Sequence, residues 1–395
     1  MEKKYQQIKE ELLNSCVPFW FNNGLDKEYG GVLTCLDKTG KIYSTDKSVW
    51  MQGRAGWMFS YIYNKIEKKQ EYLDFAKSCI DFATEYCIDK NDGRMYFTVT
   101  RDGKPLRKRR YWFSETFYIM ANAEYYIATK DEKYLSTAKK YFDFVYDMYK
   151  DPSVDPYKIT PKSYAETRNT KSLANPMILL NVANIVREAD TERTNYYEQI
   201  ITGLIEDIKA FYKPEYNATF ENISAEDGSV ILDSASCRVI NPGHDIECSW
   251  FLLEEAIKRK DEGLISFAEK MFNDAFDFGW DKEYGGILYF KDILGLPVEA
   301  YEHDMKLWWP HNETVIASLM FYYYTGKERY KEIFSKVYEY AFMHFSDREN
   351  GEWLGYLRRD GKPTEPPCKG HTYKGPFHVM RMLANCILLM EEFNK

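Results

Sequence analysis

The hexapeptide Asp-Lys-Glu-Tyr-Gly-Gly occupies residues 26–31 and recurs unchanged at residues 281–286. Weaker copies of this acidic turn begin at residues 89, 214 and 347, and each copy runs into a short β-prone stretch. The starts are about 64 residues apart, except for one interval that is twice as long, so a sixth turn is expected near Asp151. An acidic turn followed by a β-prone stretch is typical of a hairpin. The chain therefore divides into six units, each of which begins with a short β-hairpin.

Between the turns the sequence has a helical pattern, because apolar and aromatic residues recur at three- and four-residue spacing. The predicted helix pairs are 48–66 with 71–86, 112–128 with 132–149, 172–187 with 194–212, 245–259 with 262–278, and 311–324 with 328–344. The last unit has one helix, 377–393, and the N-terminal helix 3–16 is expected to be its partner and to close the ring. An open solenoid would need polar capping repeats, and neither end of the chain has one. The sequence thus predicts an all-α fold in one domain over residues 1–395, an (α/α)6 barrel of six helical hairpins with short β-hairpins in the connecting turns.

The composition restricts the function classes. Aromatic residues make up 17% of the chain, and the crowded inner helices of such a barrel account for most of them. The formal charge of −8 argues against a nucleic-acid surface, and no apolar run approaches the roughly 18 residues of a membrane span. The charged N-terminal helix is unlike a signal peptide, and the eight single cysteines are expected to be reduced thiols. These features predict a cytoplasmic protein that acts on a small molecule.

The start of each inner helix is expected to bring polar side chains to one mouth of the barrel. Pro176, Pro242, Pro310 and Pro376 are predicted at the first helical position, which favours proline. Polar residues that follow them would face the mouth, near free helix N–H groups. The candidate polar residues at the start of the inner helices are Arg54, Glu115, Asn175, His244, His311, Glu313 and His378.

Two of these histidines form a matched pair. His244 and His378 each lie two residues after a proline, and each precedes a charged residue, Glu247 or Arg381, by one helical turn. Because one unit separates their helices, the two histidines are expected to face each other across a bound molecule. His311 is left open as a substrate contact or a packing residue, and the remaining histidines are assigned surface or structural roles. No metal is expected, since the sequence has no HxH or HExxH spacing, and phosphate loops and nucleophile elbows are also absent.

At these positions the chain resembles the N-acylglucosamine 2-epimerase family, which includes the renin-binding proteins. The resemblance is carried by residues 52–54, 241–253, 306–313 and 374–378 and extends over nearly the whole chain. It implies an (α/α)6 barrel, a homodimer, and interconversion of N-acetylglucosamine and N-acetylmannosamine at C2 without a redox cofactor. Some members need ATP as an activator that is not consumed, and the sequence leaves that requirement open. The cellobiose epimerases of the superfamily carry Asn-Thr-His-Leu-His on the third inner helix, whereas residues 175–179 here lack histidine, which favours the N-acyl sugar branch.

This resemblance gives the candidate residues their expected roles. His244 and His378 are the opposed acid and base, since histidine titrates near neutral pH, and Arg54 holds the carbonyl oxygen and the enolate charge. The candidate substrate-binding residues are Glu247, Glu313, Arg381, Trp309, Trp308, His311, Asn175 and Glu115. Other hypotheses stay open: a mannose- or cellobiose-type 2-epimerase, an aldose–ketose isomerase of the superfamily, a glycoside hydrolase or lyase on the same barrel, and a non-catalytic sugar-binding protein.

Overall fold

The computed structural model describes residues 1–158 and 163–393, and these residues are mostly helical. The α-helices in chain order are α1 (Glu2–Glu10), α2 (Val17–Asn23), α3 (Val49–Lys65), α4 (Gln70–Tyr86), α5 (Phe113–Thr129), α6 (Glu132–Lys150), α7 (Ala165–Arg168), α8 (Ala174–Ala189), α9 (Thr194–Lys209), α10 (Ala235–Arg238), α11 (Pro242–Arg259), α12 (Glu262–Gly279), α13 (Trp308–Thr325), α14 (Glu328–His344) and α15 (His378–Phe393). Helices α3, α5, α8, α11, α13 and α15 contact one another in sequence and form an inner ring. Each outer helix, α4, α6, α9, α12 or α14, packs on the inner helix before it, and α1 packs on α15. The predicted (α/α)6 barrel is confirmed.

The two rings bury their residues differently. Inner helix α13 buries every residue from Trp308 to Phe321. Outer helix α4 buries a single stripe that includes Tyr72, Phe75 and Cys79. A helix that is surrounded on all sides needs apolar residues all round, whereas a surface helix needs one apolar face. The inner ring therefore takes up many of the large aromatic side chains that the sequence supplies.

The recurring turns occupy equivalent places between the outer and inner helices. Isolated antiparallel bridges close four of them, and strands β5 and β6 close a fifth. The closing pairs are Leu25 with Val32, Ile88 with Met95, Tyr212 with Thr219, Trp280 with Ile287, and Ser346 with Trp353. The second glycine of the repeated hexapeptide has a positive φ of +74° at Gly31 and +76° at Gly286, and a Cβ there would lie 2.4 Å from Gln52 and 2.7 Å from Tyr340. The sequence identity of the two hexapeptides thus follows from backbone conformation and close packing.

Short strands form a rim around one mouth of the barrel. Their bounds are β1 (Lys47–Ser48), β2 (Thr98–Val99), β3 (Pro105–Arg107), β4 (Thr170–Ser172), β5 (Tyr212–Lys213), β6 (Ala218–Thr219), β7 (Asn222–Ser224), β8 (Val239–Ile240), β9 (Lys291–Asp292), β10 (Lys306–Leu307) and β11 (Tyr356–Leu357). All the pairs are antiparallel: β1–β2–β3, β4–β7, β5–β6, β8–β9 and β10–β11. In four of these sheets the strand before an inner helix pairs with a strand of the next unit, so the rim ties neighbouring units together.

The same two units also share an ion-pair arrangement. The carboxylate of Asp26 lies 3.0 Å from Lys47 Nζ and 2.9 Å from Arg101, while that of Asp281 lies 2.7 Å from Lys306 Nζ and 3.0 Å from Arg359. Each arginine begins a copy of the sequence Arg-Asp-Gly-Lys-Pro, at residues 101–105 and 359–363. The shared sequence therefore has a structural explanation: in each copy the arginine side chain links its own unit to the acidic turn of the preceding unit.

The N-terminal segment closes the ring, as predicted, but it is longer than residues 3–16. Helix α1 continues through a π-helical stretch, Glu11–Cys16, into α2, which ends at Asn23. Trp20 Nε1 donates a hydrogen bond of 2.7 Å to Glu352, and Trp353 Nε1 donates one of 2.9 Å to Glu11. Hydrogen bonds thus join the two ends of the chain.

The proline prediction is correct at one of its four positions. Pro242 is the first residue of α11, but α8 and α13 begin two residues before Pro176 and Pro310, and α15 begins two residues after Pro376. The other predicted helix bounds agree to within about one turn, the usual uncertainty of such assignments. Among the described residues, no helix is both long enough and apolar enough to cross a membrane. The eight cysteines are all free thiols.

Candidate active site

A buried cluster of charged side chains lies where α11, α13 and α15 begin. His378 Nδ1 lies 2.7 Å from Glu313 Oε1, and Arg381 Nη2 lies 2.7 Å from the same oxygen. The guanidinium of Arg381 also contacts Glu247, and Trp250 Nε1 donates a hydrogen bond of 2.9 Å to Glu313 Oε2. Arg381 therefore bridges two carboxylates from different helices and neutralises much of their charge.

His244 has a carboxylate partner of its own at the first turn of α11. Its Nδ1 lies 2.9 Å and 3.1 Å from the two oxygens of Glu221, which precedes strand β7. Its backbone N–H donates a hydrogen bond of 3.2 Å to the side chain of Asn241, the N-cap of the helix. Asn241 thus fixes the start of the helix, and Glu221 orients the imidazole.

Trp309 lies beside both histidines. The ring centroid of Trp309 is 5.1 Å from that of His244 and 6.0 Å from that of His378. This approach requires Gly243, since a Cβ there would lie 2.6 Å from the indole. Trp308 is only 2% exposed and packs against Tyr356, with its ring 6.3 Å from His378. Of the two tryptophans, Trp309 is the one that contacts the space between the histidines.

Arg54 is held by aromatic rings. Its guanidinium carbon lies 4.2 Å from the ring centroid of Phe117 and 4.7 Å from that of Phe377. Its Nε is buried and has no hydrogen-bond partner within residues 1–158 and 163–393. Burial lowers the pKa of Arg54 to about 9, while the charges of Glu247 and Glu313 oppose this fall. The side chain therefore stays positive at neutral pH.

The two histidines have opposite electrostatic surroundings. Burial lowers the pKa of His378 well below its usual value, and the positive charges of Arg54 and Arg381 lower it further. Burial also acts to lower the pKa of His244, but the charge and hydrogen bond of Glu221 outweigh it, so that the pKa of His244 is raised. At neutral pH His378 is therefore neutral, and His244 is the histidine that favours the protonated form.

Three of the predicted site residues lie outside this cluster. Glu115 is fully buried; it pairs with Arg94 at 2.6 Å and accepts a hydrogen bond of 2.8 Å from the N–H of Met95. His311 Nε2 accepts a hydrogen bond of 2.9 Å from the N–H of Ile287, and burial lowers its pKa to about 3. Both side chains thus hold the hairpins of their own units, which favours the packing role among the two that were left open for His311 and gives Glu115 structural partners.

The third residue, Asn175, lies near the start of α8 and is partly buried. It lines a groove that Glu221 also lines, and the groove does not include Arg381 or Glu313. Asn175 is therefore on the side of the site where His244 contacts Glu221. Asn175 is thus a neighbour of the candidate site rather than a member of the charged cluster.

Glu221 is the residue that the sequence analysis missed. It follows Phe220, the residue after the closing pair of its turn, and its counterparts in four other units are Thr34, Phe97, Tyr289 and Gly355. The other four residues at this position of the repeat are uncharged, so the charge of Glu221 is the signal that could have found it, because the repeat predicts the same location for all five.

The cluster also has the residue types of a cation site. Glu247, Glu313 and His378 each offer a ligand atom, and these atoms lie within 4.8 Å of one another. Arg381 Nη2, however, already contacts both carboxylates. The positive charge between the two glutamates is thus supplied by a side chain of the protein.

Comparisons with known proteins show the family and the fold of the chain. The sequence model of one family, described as N-acylglucosamine 2-epimerase (GlcNAc 2-epimerase), matches residues 31–380. The chain is 37% identical to the N-acylglucosamine 2-epimerase of Mus musculus, over 98% of this chain and 93% of that protein. It is 38% identical to that of Bos taurus, over 95% of this chain and 88% of that protein. A cellobiose 2-epimerase structure from Bacillus thermoamylovorans has a TM-score of 0.84 at 20% identity, covering 98% of this chain and 100% of that one, and shows the same fold.

Proposed function

Because the chain belongs to the N-acylglucosamine 2-epimerase family, we propose that it interconverts N-acetylglucosamine and N-acetylmannosamine by inversion at C2. In the open-chain sugar the C2–H bond breaks and its electron pair forms an enolate with the C1 carbonyl. A proton then adds to C2 from the other face. No net oxidation occurs, so an acid, a base and a group that stabilises the enolate are sufficient.

The observation that carries this proposal is the pair of histidines beside Trp309 with opposite pKa shifts. The Nδ1 atoms of His244 and His378 contact Glu221 and Glu313, respectively. In a neutral imidazole with Nδ1–H donating to a carboxylate, Nε2 is the basic atom, and in the charged form Nε2–H is the acid. Each histidine can therefore exchange a proton with substrate through Nε2.

His378 is the proposed base of the resting enzyme. Its lowered pKa keeps Nε2 free of a proton at neutral pH, and its side chain is only 8% exposed. Removal of the C2 proton makes the imidazole positive, and Glu313 stabilises that charge through Nδ1. His378 is thus neutral before the proton transfer, and the charge of Glu313 balances its positive charge afterwards.

His244 is the proposed acid. Glu221 raises the pKa of His244, which keeps a proton available for the opposite face of C2. After one turnover the protonation states of the two histidines are exchanged, which is the arrangement that the reverse reaction requires. With His378 neutral and His244 protonated, the enzyme is therefore ready to react with the epimer whose C2 proton faces His378.

Arg54 is the proposed enolate anchor. Its charge is buried against Phe117 and Phe377, and Nε lacks a hydrogen-bond partner among the described residues. A buried donor without a partner is costly unless a ligand supplies the acceptor, and the enolate oxygen would be such an acceptor. Trp309 would stack on the sugar, and Glu247 would bind hydroxyl groups. We also propose that the proton transfers themselves use no redox cofactor.

The test is incubation with N-acetylmannosamine in D2O, followed by proton NMR. We expect N-acetylglucosamine to form with deuterium at C2, and turnover to fall by about 10²- to 10⁴-fold in His244→Ala and His378→Ala, the usual contribution of a general acid or base. Glu332→Gln, on the exposed face of α14, is the matched control. Turnover of mannose or cellobiose but of no N-acyl sugar would refute the substrate assignment. Full activity in either histidine variant would refute the mechanism.

A further inference from the structure

A second polar cavity lies at the mouth of the barrel opposite to the candidate active site. Its volume is about 330 Å³, near the lower end of the range of about 300–1,000 Å³ for small-molecule sites. Every inner helix contributes to it, and the residues in helix order are Tyr61, Glu124, Asn184, Glu254, Tyr324 and Asn385, of which all but Asn385 lie in the C-terminal half of their helix. We call this space the far-mouth cavity.

The far-mouth cavity contains two carboxylates, those of Glu124 and Glu254, that form no ion pair within the described part of the chain. Glu124 is 3% exposed, and its Oε1 accepts a hydrogen bond of 2.7 Å from Asn64. Its second oxygen, like both oxygens of Glu254, has no hydrogen-bond partner or ion pair among the residues that the structure describes. Burial raises the pKa of Glu124 to about 7 and also raises that of Glu254. The charge of Glu188 adds to both effects, whereas Asn64 and Lys65 partly oppose the first and Lys258 and Arg187 partly oppose the second. Unpaired buried carboxylates favour a cationic ligand.

The C-termini of the inner helices also favour a cationic ligand. All six end at the far mouth, and each helix C-terminus carries a partial negative charge. Lys258 is paired with Glu188 at 3.2 Å, and Arg381 is paired with Glu247 and Glu313. Lys65 lies on the rim, and in the described parts of the chain it forms no ion pair with Glu124 or Glu254. Among the lining residues that form no ion pair in the described ranges, the carboxylates of Glu124, Glu254 and Glu392 therefore outnumber the single cation of Lys65.

Aromatic rings and amide donors complete the lining. Tyr61 stacks on Trp57 at 4.8 Å, and both rings line the cavity together with Trp250. Arg187 donates to the Asn184 oxygen at 2.9 Å, which identifies the Asn184 Nδ2 as a donor. That nitrogen is buried and has no partner over residues 1–158 and 163–393, and the residue is 4% exposed. A free buried donor favours a ligand that carries a hydroxyl or carbonyl oxygen.

We propose that the far-mouth cavity is a second ligand site, for a small organic ammonium ion that carries hydroxyl groups. The ammonium group lies between Glu124 and Glu254 against the aromatic wall, and a hydroxyl oxygen accepts from Asn184. The site is independent of the proposed epimerase activity. It nevertheless adjoins the charged cluster, because Arg381 and Trp250 line the cavity and also contact Glu313.

The test uses two probes of nearly the same shape. Tris(hydroxymethyl)aminomethane carries one ammonium and three hydroxyl groups, and pentaerythritol replaces the ammonium with a fourth hydroxymethyl group. In calorimetric titrations at pH 7.5 in an amine-free buffer, we expect one-to-one binding of the amine, at least about ten times tighter than that of pentaerythritol. Glu124→Gln and the less buried Glu254→Gln should each weaken binding by about ten-fold or more, whereas Glu332→Gln on α14 should not.

Each other outcome overturns the proposal. Equal binding of the two probes would show a site for neutral polyols. Loss of binding in His378→Asn, with binding retained in Glu254→Gln, would show that the amine occupies the candidate active site instead. The absence of binding at tens of millimolar amine would mean that the cavity holds water only. Because these titrations measure binding, their result does not depend on whether the protein is an epimerase.

Discussion

At the scale of single residues, two similar histidine–carboxylate contacts have opposite electrostatic effects. His244 faces Glu221, whose charge remains available to raise the pKa of His244. His378 faces Glu313, but Arg381 also binds that carboxylate, so burial and two arginine charges lower the pKa of His378. The difference between the proposed acid and the proposed base therefore lies in what else each carboxylate contacts.

Replacement of Glu221 by Gln should impair the proposed acid selectively. Without the carboxylate charge, burial lowers the pKa of His244, so His244 loses its proton at a lower pH. The basic limb of the kcat/KM profile should move down by about 1–3 pH units, the usual effect of a charge at this distance. The measurement is a pH–rate profile with N-acetylmannosamine, and Glu215→Gln, exposed in the same hairpin, is the control. An unchanged basic limb would mean that His244 is not the acid.

Replacement of Arg54 by Met should have two effects. Loss of the enolate anchor should lower kcat by about 10²- to 10³-fold. Loss of the Arg54 charge should also raise the pKa of His378, because burial and this charge hold it down, so the acidic limb of the pH profile should move to higher pH. Arg54→Lys keeps the charge and should leave the acidic limb in place while kcat falls. If both variants kept the wild-type kcat, Arg54 would have no role in the reaction.

The site could be predicted from the sequence only in part. The offset of His244 and His378 from Pro242 and Pro376 predicted that both are at the same mouth, and the structure brings both to Trp309. Glu115 and His311 occupy the same position in their units, but they bind backbone N–H groups of the hairpins 20 and 24 residues earlier in the chain. Pattern alone could not identify those partners, since a buried polar residue and a substrate contact have the same spacing.

At the scale of the elements, the repeated turns are stabilised by buried charges. Asp26 and Asp281 each pair with a fully buried lysine, Lys47 or Lys306. The duplicated hexapeptide and the duplicated Arg-Asp-Gly-Lys-Pro sequence predicted the hairpins but not that Arg101 and Arg359 cross to the preceding turn. That contact depends on the angle between successive units, which is a property of the closed ring.

Asp281→Asn should destabilise the barrel and should make its free energy of unfolding less dependent on pH in the acidic range. Hydrogen bonds from Arg359 and Lys306 outweigh burial and lower the pKa of Asp281 in the folded protein. The ionised carboxylate therefore stabilises the fold above about pH 4, the pKa of an unfolded aspartate, and this stabilisation is lost as the pH falls toward the folded pKa. The substitution should cost about 3 kcal/mol at pH 7, because Lys306 loses its buried partner. Urea unfolding at pH 7 and pH 3.5 measures both effects, with exposed Asp46→Asn as the control. Equal losses at both pH values would contradict the account.

At the scale of the whole molecule, the closed ring makes the ends of the chain interdependent. Glu11 and Trp20 from the N-terminal segment contact Trp353 and Glu352, and Tyr5 donates a hydrogen bond of 2.6 Å to Glu391. An open solenoid would lack such contacts. The sequence predicted closure because the last unit lacked an outer helix, yet it did not predict the continuation of the N-terminal helix to Asn23.

Trp20→Ala should therefore lower the stability of the entire barrel. The side chain is fully buried, and its truncation should cost about 3–5 kcal/mol. Helix content by circular dichroism and catalytic turnover should be lost together as urea rises, because closure couples all six units. Exposed Tyr164→Ala is the control. Separate transitions, with turnover surviving after part of the helix content is lost, would indicate local fraying at the N-terminus instead.

The most direct test of the two-histidine account separates proton exchange from inversion. His244→Gln and His378→Gln are each incubated in D2O with N-acetylglucosamine and, separately, with N-acetylmannosamine, and C2 deuterium is measured by NMR. The account predicts that neither variant forms the other epimer at an appreciable rate. It also predicts that each variant exchanges the C2 proton of one epimer only, and that the epimer differs between the two variants. Exchange of the same epimer by both variants, or inversion by either at the wild-type rate, would contradict it.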